Sequence, residues 1–290
     1  MKKHHLLLLF FLIISSFSFA QLLPRKDRVY TEKDSLVFVD FKTTAATNKW
    51  DGLPLNELVV KAGMYFLNTP YVAHTLELSQ EEKLVVNLRE FDCTTFVESC
   101  FALARTIHMG KNFDTYCAEL EKMRYRDGIK TDYPSRNHYF TEWIRDNEQL
   151  GLVKDMTQEI GGVPLKVKVN FMSTHPDKYM QLANNPDFVQ RMAPIEKEIS
   201  ARNYFYISKE NLPQVEKGIK TGDIIAITTN MDGLDISHVG YAIWQNGKLH
   251  FMHASSAGKK VMISDKTLFE YLSDITHHTG VMVVRIKNVE

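Results

Sequence analysis

The sequence predicts an α+β fold in which N-terminal helices pack on a C-terminal antiparallel sheet. Apolar residues recur at helical spacing before residue 151, whereas short β-type runs dominate after residue 163. Two of these runs flank Asn246-Gly247, a strong signal for a two-residue hairpin turn. Because no repeat or Pro/Ser-rich linker separates the halves, residues 50–290 are interpreted as a single domain with an insertion around 110–200.

Three helices are predicted after an N-terminal arm or short helix at 21–49. Residues 55–67 carry apolar side chains at helical spacing. The second helix begins after Asp92, a favourable N-cap residue, and ends at Gly110. The third helix covers residues 139–150.

The C-terminal part contains short apolar runs of the kind that form strands. These runs cover residues 165–171, 204–207, 224–228, 239–244, 248–253 and 281–286. We expect them to form one antiparallel sheet with the helices packed on one side.

The composition indicates a folded globular protein and argues against one class of partner. Of the 290 residues, 44% are hydrophobic and 24% are charged, which is ordinary for a globular chain. The 35 basic and 35 acidic residues cancel, and neither sign forms a dominant run. Without a basic face, binding to nucleic acid is not expected.

The first twenty residues have the pattern of a signal peptide. Lys2 and Lys3 precede an unbroken apolar run at 6–14, and Ser18-Phe19-Ala20 then ends in the small-x-small pattern of a cleavage site. The run is shorter than the about 20 apolar residues that a membrane span needs, which disfavours the alternative of an uncleaved anchor. We therefore expect residues 1–20 to be removed, and the protein to be periplasmic or secreted without stable membrane insertion.

Export makes the three cysteines informative, because an odd count leaves at least one thiol outside any disulfide. Cys93 follows Asp92 and so lies in the first turn of a helix, where the helix dipole favours a thiolate. Cys93 is therefore a candidate nucleophile, although it can also be read as an incidental small residue. Cys100 falls on the apolar stripe and is interpreted as a core residue, and the role of Cys117 stays open.

A thiol nucleophile needs a histidine that accepts and returns a proton. If Asn246 and Gly247 form the hairpin turn, the strand register places His238 and His253 as diagonal neighbours on one face, about 7–8 Å apart at the backbone. Gly240 then lies opposite His253 and has no side chain to separate the rings of His238 and His253. His250 points to the other face of the sheet. Such a pair suits a base and the group that orients it.

The alternatives for this pair are a metal site or two structural histidines. Neither an H-E-x-x-H motif nor a cysteine pair at ligand spacing is present, so we predict neither a metal nor a cofactor. The doublet His277-His278 is interpreted as part of a solvated turn.

Four motifs resemble those of the NlpC-type cell-wall cysteine hydrolases, a papain-like group. They are Phe-Asp-Cys-Thr-Thr-Phe-Val-Glu at 91–98, Gly-Asp-Ile-Ile at 222–225, Ser-His-Val-Gly-Tyr at 237–241 and His-Ala-Ser-Ser at 253–256. The resemblance implies a papain-like fold in which Cys93 is the nucleophile, His238 the base and His253 the orienting residue.

Three further segments, at 71–77, 135–140 and 170–173, resemble the branch of N-acetylmuramoyl-L-alanine amidase-like proteins. This resemblance covers most of residues 50–287. The chain has Val-Ala-His at 72–74 where the wider family commonly has a Gly-Gly pair, so its peptide-binding subsite departs from that pattern.

The resemblance also implies substrate-binding residues. Tyr71 and Asp92 occupy positions that bind the peptide portion of the substrate in the wider family, and Thr94 follows the candidate nucleophile. Asp92 has a second role as helix cap. Arg136 is a candidate contact for a carboxylate or a sugar, because its planar fork suits such groups, and its alternative is a solvated surface arginine.

These expectations define an amide hydrolase for peptidoglycan or muramoyl-peptide fragments, acting as a monomer. The branch favours the amide between the lactyl group of N-acetylmuramic acid and L-alanine. The alternative within the same superfamily is a γ-D-glutamyl-diamino acid endopeptidase. An acyltransferase that uses the same thioester chemistry and a non-catalytic wall-binding module also remain open.

Overall fold

The computed structural model describes residues 26–289, so the predicted signal peptide at 1–20 lies outside the described residues. Between residues 26 and 289, no helix is both long and apolar enough to span a bilayer.

The fold is α+β, with helices packed on an antiparallel sheet, as the sequence predicted. The helices of the described range are α1 Glu32–Thr47, α2 Leu55–Tyr65, α3 Cys93–His108, α4 Phe113–Arg124, α5 Phe140–Gln149, α6 Phe171–Thr174, α7 Met180–Ala183, α8 Pro186–Ala201, α9 Leu212–Val215 and α10 Leu268–Ser273. The strands are β1 Arg28–Val29, β2 Leu84–Val85, β3 Val153–Asp155, β4 Val163–Leu165, β5 Tyr204–Ser208, β6 Ile224–Thr229, β7 Ile236–Gln245, β8 Lys248–Ser255, β9 Lys260–Ile263 and β10 His278–Ile286.

The main sheet has eight strands in the order β4-β5-β10-β6-β7-β8-β9, and β3 also pairs with β10. Its two faces belong to different cores, because side chains alternate along each strand. Tyr241 and Met252 pack with the helices, whereas Phe251 packs with Leu268 and Leu272 of α10 on the other face. The α10 side therefore forms a smaller, separate core.

Helix α3 is the central helix, and it lies against β7 and β8. Its residues from Thr95 to Ile107 are all buried, which is possible because the polar ones have partners. Glu98 accepts hydrogen bonds from Arg124 Nε at 2.7 Å and from Trp143 Nε1 at 3.2 Å. The Tyr241 hydroxyl donates to the Val97 carbonyl at 2.8 Å and joins the sheet to the helix.

The Gly222-Asp223 motif has a structural explanation. Gly222 has a φ of +88°, and a Cβ there would lie 2.2 Å from the Asn56 carbonyl oxygen, so only glycine fits. Asp223 accepts from Lys220 N–H at 2.8 Å and pairs with Arg285 at 2.7 Å. The motif thus fixes the entry to β6.

One predicted strand was wrong. Residues 165–171 alternate in burial, but only the segment Val163–Leu165 pairs with β5, and α6 begins at Phe171. Instead, the chain leaves the sheet, and Val169 bridges to Gly233. Helix α8 was not predicted, because Pro194 lies inside it and proline normally ends a helix.

The segment at 21–49, interpreted as an arm or a short helix, contains the 16-residue helix α1. Three of its side chains, Phe38, Phe41 and Ala45, are buried in the same core as α3. Leu36 and Val39 of α1 are exposed.

Candidate active site

Cys93 is the first residue of α3, and the cap predicted from sequence holds it there. The Asp92 Oδ1 atom accepts from the Thr95 backbone N–H at 2.7 Å, and the Asp92 N–H donates to Thr95 Oγ1 at 3.0 Å. These reciprocal bonds fix the first turn of the helix. The Cys93 side chain is partly exposed at the wall of a cleft.

This cleft has a volume of about 160 Å³ and gathers residues from distant parts of the chain. It is lined by Cys93 and Thr94 of α3, by Asn137, His138, Tyr139 and Phe140, by Met172 and Tyr179, and by the segment 234–239 leading into β7. Cys93 and His238 therefore face the same space.

The predicted histidine pair is present. Gln245 pairs with Lys248 and Ile243 with His250, so the hairpin register counted from the sequence is confirmed. His238 Nε2 lies 2.6 Å from His253 Nδ1, a hydrogen-bond distance, and the two rings are nearly perpendicular at 85°. His250 bonds instead to the Ser264 carbonyl at 3.0 Å, away from the pair.

Aromatic rings hold this pair on the α10 face of the sheet. The Phe251 ring stacks on His253 with a centroid distance of 4.7 Å, and the Tyr271 ring lies 5.3 Å from His253. A Cβ on Gly240 would lie 2.8 Å from the Phe251 ring. The space above Gly240 thus holds the Phe251 ring, and the two histidines meet beside it.

A third histidine lies near the pair, contrary to expectation. His278 was interpreted as part of a solvated turn, but it begins β10 and is 3% exposed. It stacks on Tyr271 at 5.9 Å, and its charge, if present, would oppose protonation of His238. Neither Tyr271 nor His278 carried a sequence signal for this position, because α10 was not predicted.

Both histidines of the pair are neutral. Burial lowers the pKa of His238 to about 3, and repulsion from His253 and His278 adds to this effect. Burial alone lowers the pKa of His253 to about 4. One of the two nitrogens in the 2.6 Å contact therefore donates and the other accepts.

The resting state of Cys93 differs from the expected thiolate. Burial and the adjacent Asp92 carboxylate raise the pKa of the Cys93 thiol to about 12. Hydrogen bonds from the Val239 N–H and from Thr94 act in the opposite direction but do not outweigh burial. The site thus holds a neutral thiol and a neutral imidazole at rest.

Tyr71, Asp92 and Thr94, the residues expected to bind substrate, all lie around Cys93. Burial raises the pKa of Tyr71, and the neighbouring acidic groups of Cys93 and Asp92 add to this, which reflects its position beside them. The Tyr71 N–H donates to the Lys259 carbonyl at 3.0 Å, which fixes its backbone. Thr94 lines the cleft, with its Oγ1 atom 4.0 Å from Cys93 Sγ.

Arg136 is neither a ligand contact in the cleft nor a solvated surface arginine, the two roles expected from the sequence. Its side chain is only 8% exposed, and two of its nitrogens donate to Glu82 at 3.1 and 2.7 Å, while the third donates to Glu77 at 2.8 Å. The guanidinium is therefore neither solvated nor turned into the cleft, and its fork is already filled by carboxylates.

The remaining polar groups give no sign of a metal centre. Within residues 26–289, no group of three or more His, Cys, Asp or Glu side chains is arranged to hold a metal ion. The three cysteines form no disulfide with one another, and Cys100 and Cys117 are fully buried.

Comparison with known proteins places the chain in a family. Residues 61–281 match the family described as N-acetylmuramoyl-L-alanine amidase-like. The chain belongs to this family.

Two similar crystal structures come from Bacteroides species. One, from Bacteroides uniformis, is named an N-acetylmuramoyl-L-alanine amidase. It is 40% identical in sequence with a TM-score of 0.78, and the match covers 80% of this chain and 99% of that one. The other, from Bacteroides fragilis, is provisionally named a xylanase. It is 41% identical in sequence with a TM-score of 0.75, and the match covers 78% of this chain and 99% of that one.

A protein from Legionella pneumophila shares the fold alone. It is 22% identical, with a TM-score of 0.68 over 88% of this chain and 95% of that one. None of the curated proteins matches this chain.

Proposed function

We propose that this protein is a cysteine-dependent peptidoglycan amidase with a papain-like, NlpC-type fold, which cleaves the amide between N-acetylmuramic acid and L-alanine. The observation that carries the proposal is the cleft shared by Cys93 and His238, with His253 bonded behind His238 at 2.6 Å. Family membership supports the choice of an amide in peptidoglycan as the substrate.

The contact between the histidines assigns their tautomers in this mechanism. His238 Nε2 is engaged by His253, so His238 Nδ1 is the nitrogen left to exchange a proton with the thiol. Nδ1 must then carry a lone pair at rest, which puts the hydrogen on Nε2 and makes His253 Nδ1 the acceptor. His253 thereby orients the base and stabilises the imidazolium that forms.

The reaction starts from a neutral thiol. The Cys93 sulfur attacks the lactyl carbonyl as its proton passes to His238 Nδ1, and the oxyanion is held by the Cys93 backbone N–H at the start of α3. The tetrahedral intermediate expels the L-alanine nitrogen, which takes the proton from His238. Water then hydrolyses the thioester, with His238 again as base, and returns the thiol.

Residues beside the thiol complete the proposal. In this proposal Tyr71, Thr94 and Asp92 contact the substrate next to the scissile bond, which is supported by the place of Thr94 on the cleft wall and of Tyr71 and Asp92 beside Cys93. Arg136 has no role in binding here, because Glu82 and Glu77 occupy its guanidinium.

The chemistry of the cleft does not favour a glycosidase. Hydrolysis of a glycosidic bond normally uses two carboxyl groups that flank it. Asp235 is the carboxyl residue among those lining this cleft, and one of its oxygens accepts from both the backbone and the hydroxyl of Thr141 at 2.8 Å. The xylanase name of one similar structure is therefore not carried over to this chain.

Product analysis tests the proposed function. We expect the protein to convert N-acetylmuramoyl-L-alanyl-D-glutamyl peptides into free N-acetylmuramic acid and an intact peptide. The matched control is Cys93→Ser, which should keep the fold and lose turnover. Release of a muramoyl-dipeptide would instead identify the endopeptidase, and full activity of Cys93→Ser would exclude a cysteine nucleophile.

A further inference from the structure

His138 lies on the cleft wall in a fixed protonation state. Its Nε2 atom is 2.8 Å from the Tyr133 carbonyl oxygen. A carbonyl oxygen only accepts hydrogen bonds, so Nε2 must carry the ring hydrogen and Nδ1 must present a lone pair. Within residues 26–289, Nδ1 has no hydrogen-bond partner, and the partly exposed ring lines the cleft that also contains Cys93.

The surroundings of His138 keep it neutral. Burial and the nearby Arg136 guanidinium lower its pKa to about 3, with a smaller contribution from Arg126. The ring also packs on Tyr133, with a centroid distance of 4.3 Å. The His138 ring is therefore neutral near pH 7, and its Nδ1 is a hydrogen-bond acceptor there.

The neighbours of His138 hold it in place. Arg136 is anchored by Glu82 and Glu77, and the Asn137 side chain donates to Asp146 Oδ2 at 3.0 Å. On the other side, the Tyr139 hydroxyl donates to Glu196 at 2.6 Å. A residue that lines the cleft, is held firmly by its neighbours and has an unused acceptor nitrogen is suited to recognise a donor at a defined position.

We propose that His138 Nδ1 is a specificity-determining acceptor for an uncharged N–H or O–H group of the substrate. This inference rests on the proposed amidase function and names a contact within the same cleft. Two parts of a muramoyl-peptide carry such donors: the sugar, through its acetamido N–H and hydroxyls, and the peptide, through its backbone N–H groups. His138 does not transfer a proton and acts by positioning the substrate.

Three variants of His138 test this contact, because its loss should change KM and leave kcat nearly unchanged. His138→Leu removes the acceptor, and we expect KM to rise about tenfold with kcat nearly unchanged, as for a hydrogen bond made equally in the ground and transition states. His138→Asn keeps an oxygen acceptor at the δ position and should restore most of the loss. His138→Gln can still donate to the Tyr133 carbonyl but has no δ acceptor, so its KM should resemble that of His138→Leu.

Two substrates identify the source of the donor. If the sugar supplies it, the KM of His138→Leu should match wild type on N-lactyl-L-alanyl-D-glutamate, which lacks the sugar. If the peptide supplies it, the tenfold difference should persist on that analogue. Wild-type KM for all three variants on both substrates, with melting temperatures confirming folded protein, would overturn the inference.

Failure of the proposed function would look different. In that case wild-type protein would not release free N-acetylmuramic acid from the muramoyl-peptide. Cleavage by wild type together with unaltered His138 variants would reject only the role of His138.

Discussion

The pH dependence of turnover follows directly from the neutral thiol and imidazole at rest. The base must be neutral to accept the thiol proton, and the pKa of His238 is lowered to about 3. Activity should therefore persist as the pH falls from 7 to about 5, where an imidazole with an ordinary pKa near 6.5 would already be protonated. At the alkaline end, the pKa of Cys93 is raised to about 12, so the thiol should persist to about pH 9.

The opposite shifts of the two pKa values favour the neutral pair. Burial raises the pKa of Cys93 and lowers that of His238, so both shifts oppose transfer of the proton from the thiol to the imidazole before attack. A preformed ion pair is thus a minor species at rest. The proton should move as the sulfur attacks.

Two assays check this reasoning. The plot of kcat/KM against pH should be flat from about pH 5 to about pH 9, because it reports the ionisations of the free enzyme. Alkylation of Cys93 by iodoacetamide, with Cys93→Ser as the control for the other thiols, should be slow at pH 6 and accelerate with rising pH. A fall in kcat/KM near pH 8, or an alkylation rate independent of pH, would show that an ion pair exists at rest and refute the argument.

Two further predictions concern the histidine pair and the buried arginine. His253→Ala removes the 2.6 Å contact with His238 and should lower kcat by about 10- to 100-fold in steady-state assays, a smaller loss than that of His238→Ala. His250 lies on the other face of the sheet, so the kcat of His250→Ala should stay within about twofold of wild type. Arg136→Met leaves the buried Glu82 and the partly buried Glu77 without their cation and should cost about 3–5 kcal/mol in urea unfolding. Arg191→Met at the surface should cost less than about 1 kcal/mol, and equal losses would contradict the structural role of Arg136.

The parts of the site with local signals could be predicted from sequence. Asp92 caps α3 through bonds to a residue three positions away, so the location of Cys93 follows from a short motif. Asn246 and Gly247 fix the hairpin register, and counting along two strands is enough to bring His238 and His253 together. In each case the decisive contact lies close along the chain or follows from strand periodicity.

The features of the site that the sequence did not predict depend on contacts between residues far apart along the chain. Arg136 is held by carboxylates 54 and 59 residues away, and nothing near it in the chain indicates these partners. His278 is buried because Tyr271, on a six-residue helix, packs over it. The raised pKa of Cys93 likewise results from burial, which the helix-dipole argument did not include.

The segment from Arg136 to Phe140 shows a further limit of prediction from sequence. It belongs to a motif of the amidase-like branch, and residue chemistry alone points to Arg136, because a planar guanidinium suits a ligand. The structure turns that side chain inward and His138 toward the cleft. Which member of a polar motif faces a site depends on the backbone path, and this cannot be read from residue types alone.

The central claim is that Cys93 attacks the lactyl carbonyl of a muramoyl-peptide. Its most direct test is the mass of the covalent intermediate, trapped by acid quenching within the first turnover and located by peptide mapping. The account predicts a thioester on Cys93 that carries the N-acetylmuramoyl group and no amino acid. An adduct that retains L-alanine and D-glutamate, or one attached to any other residue, would contradict it.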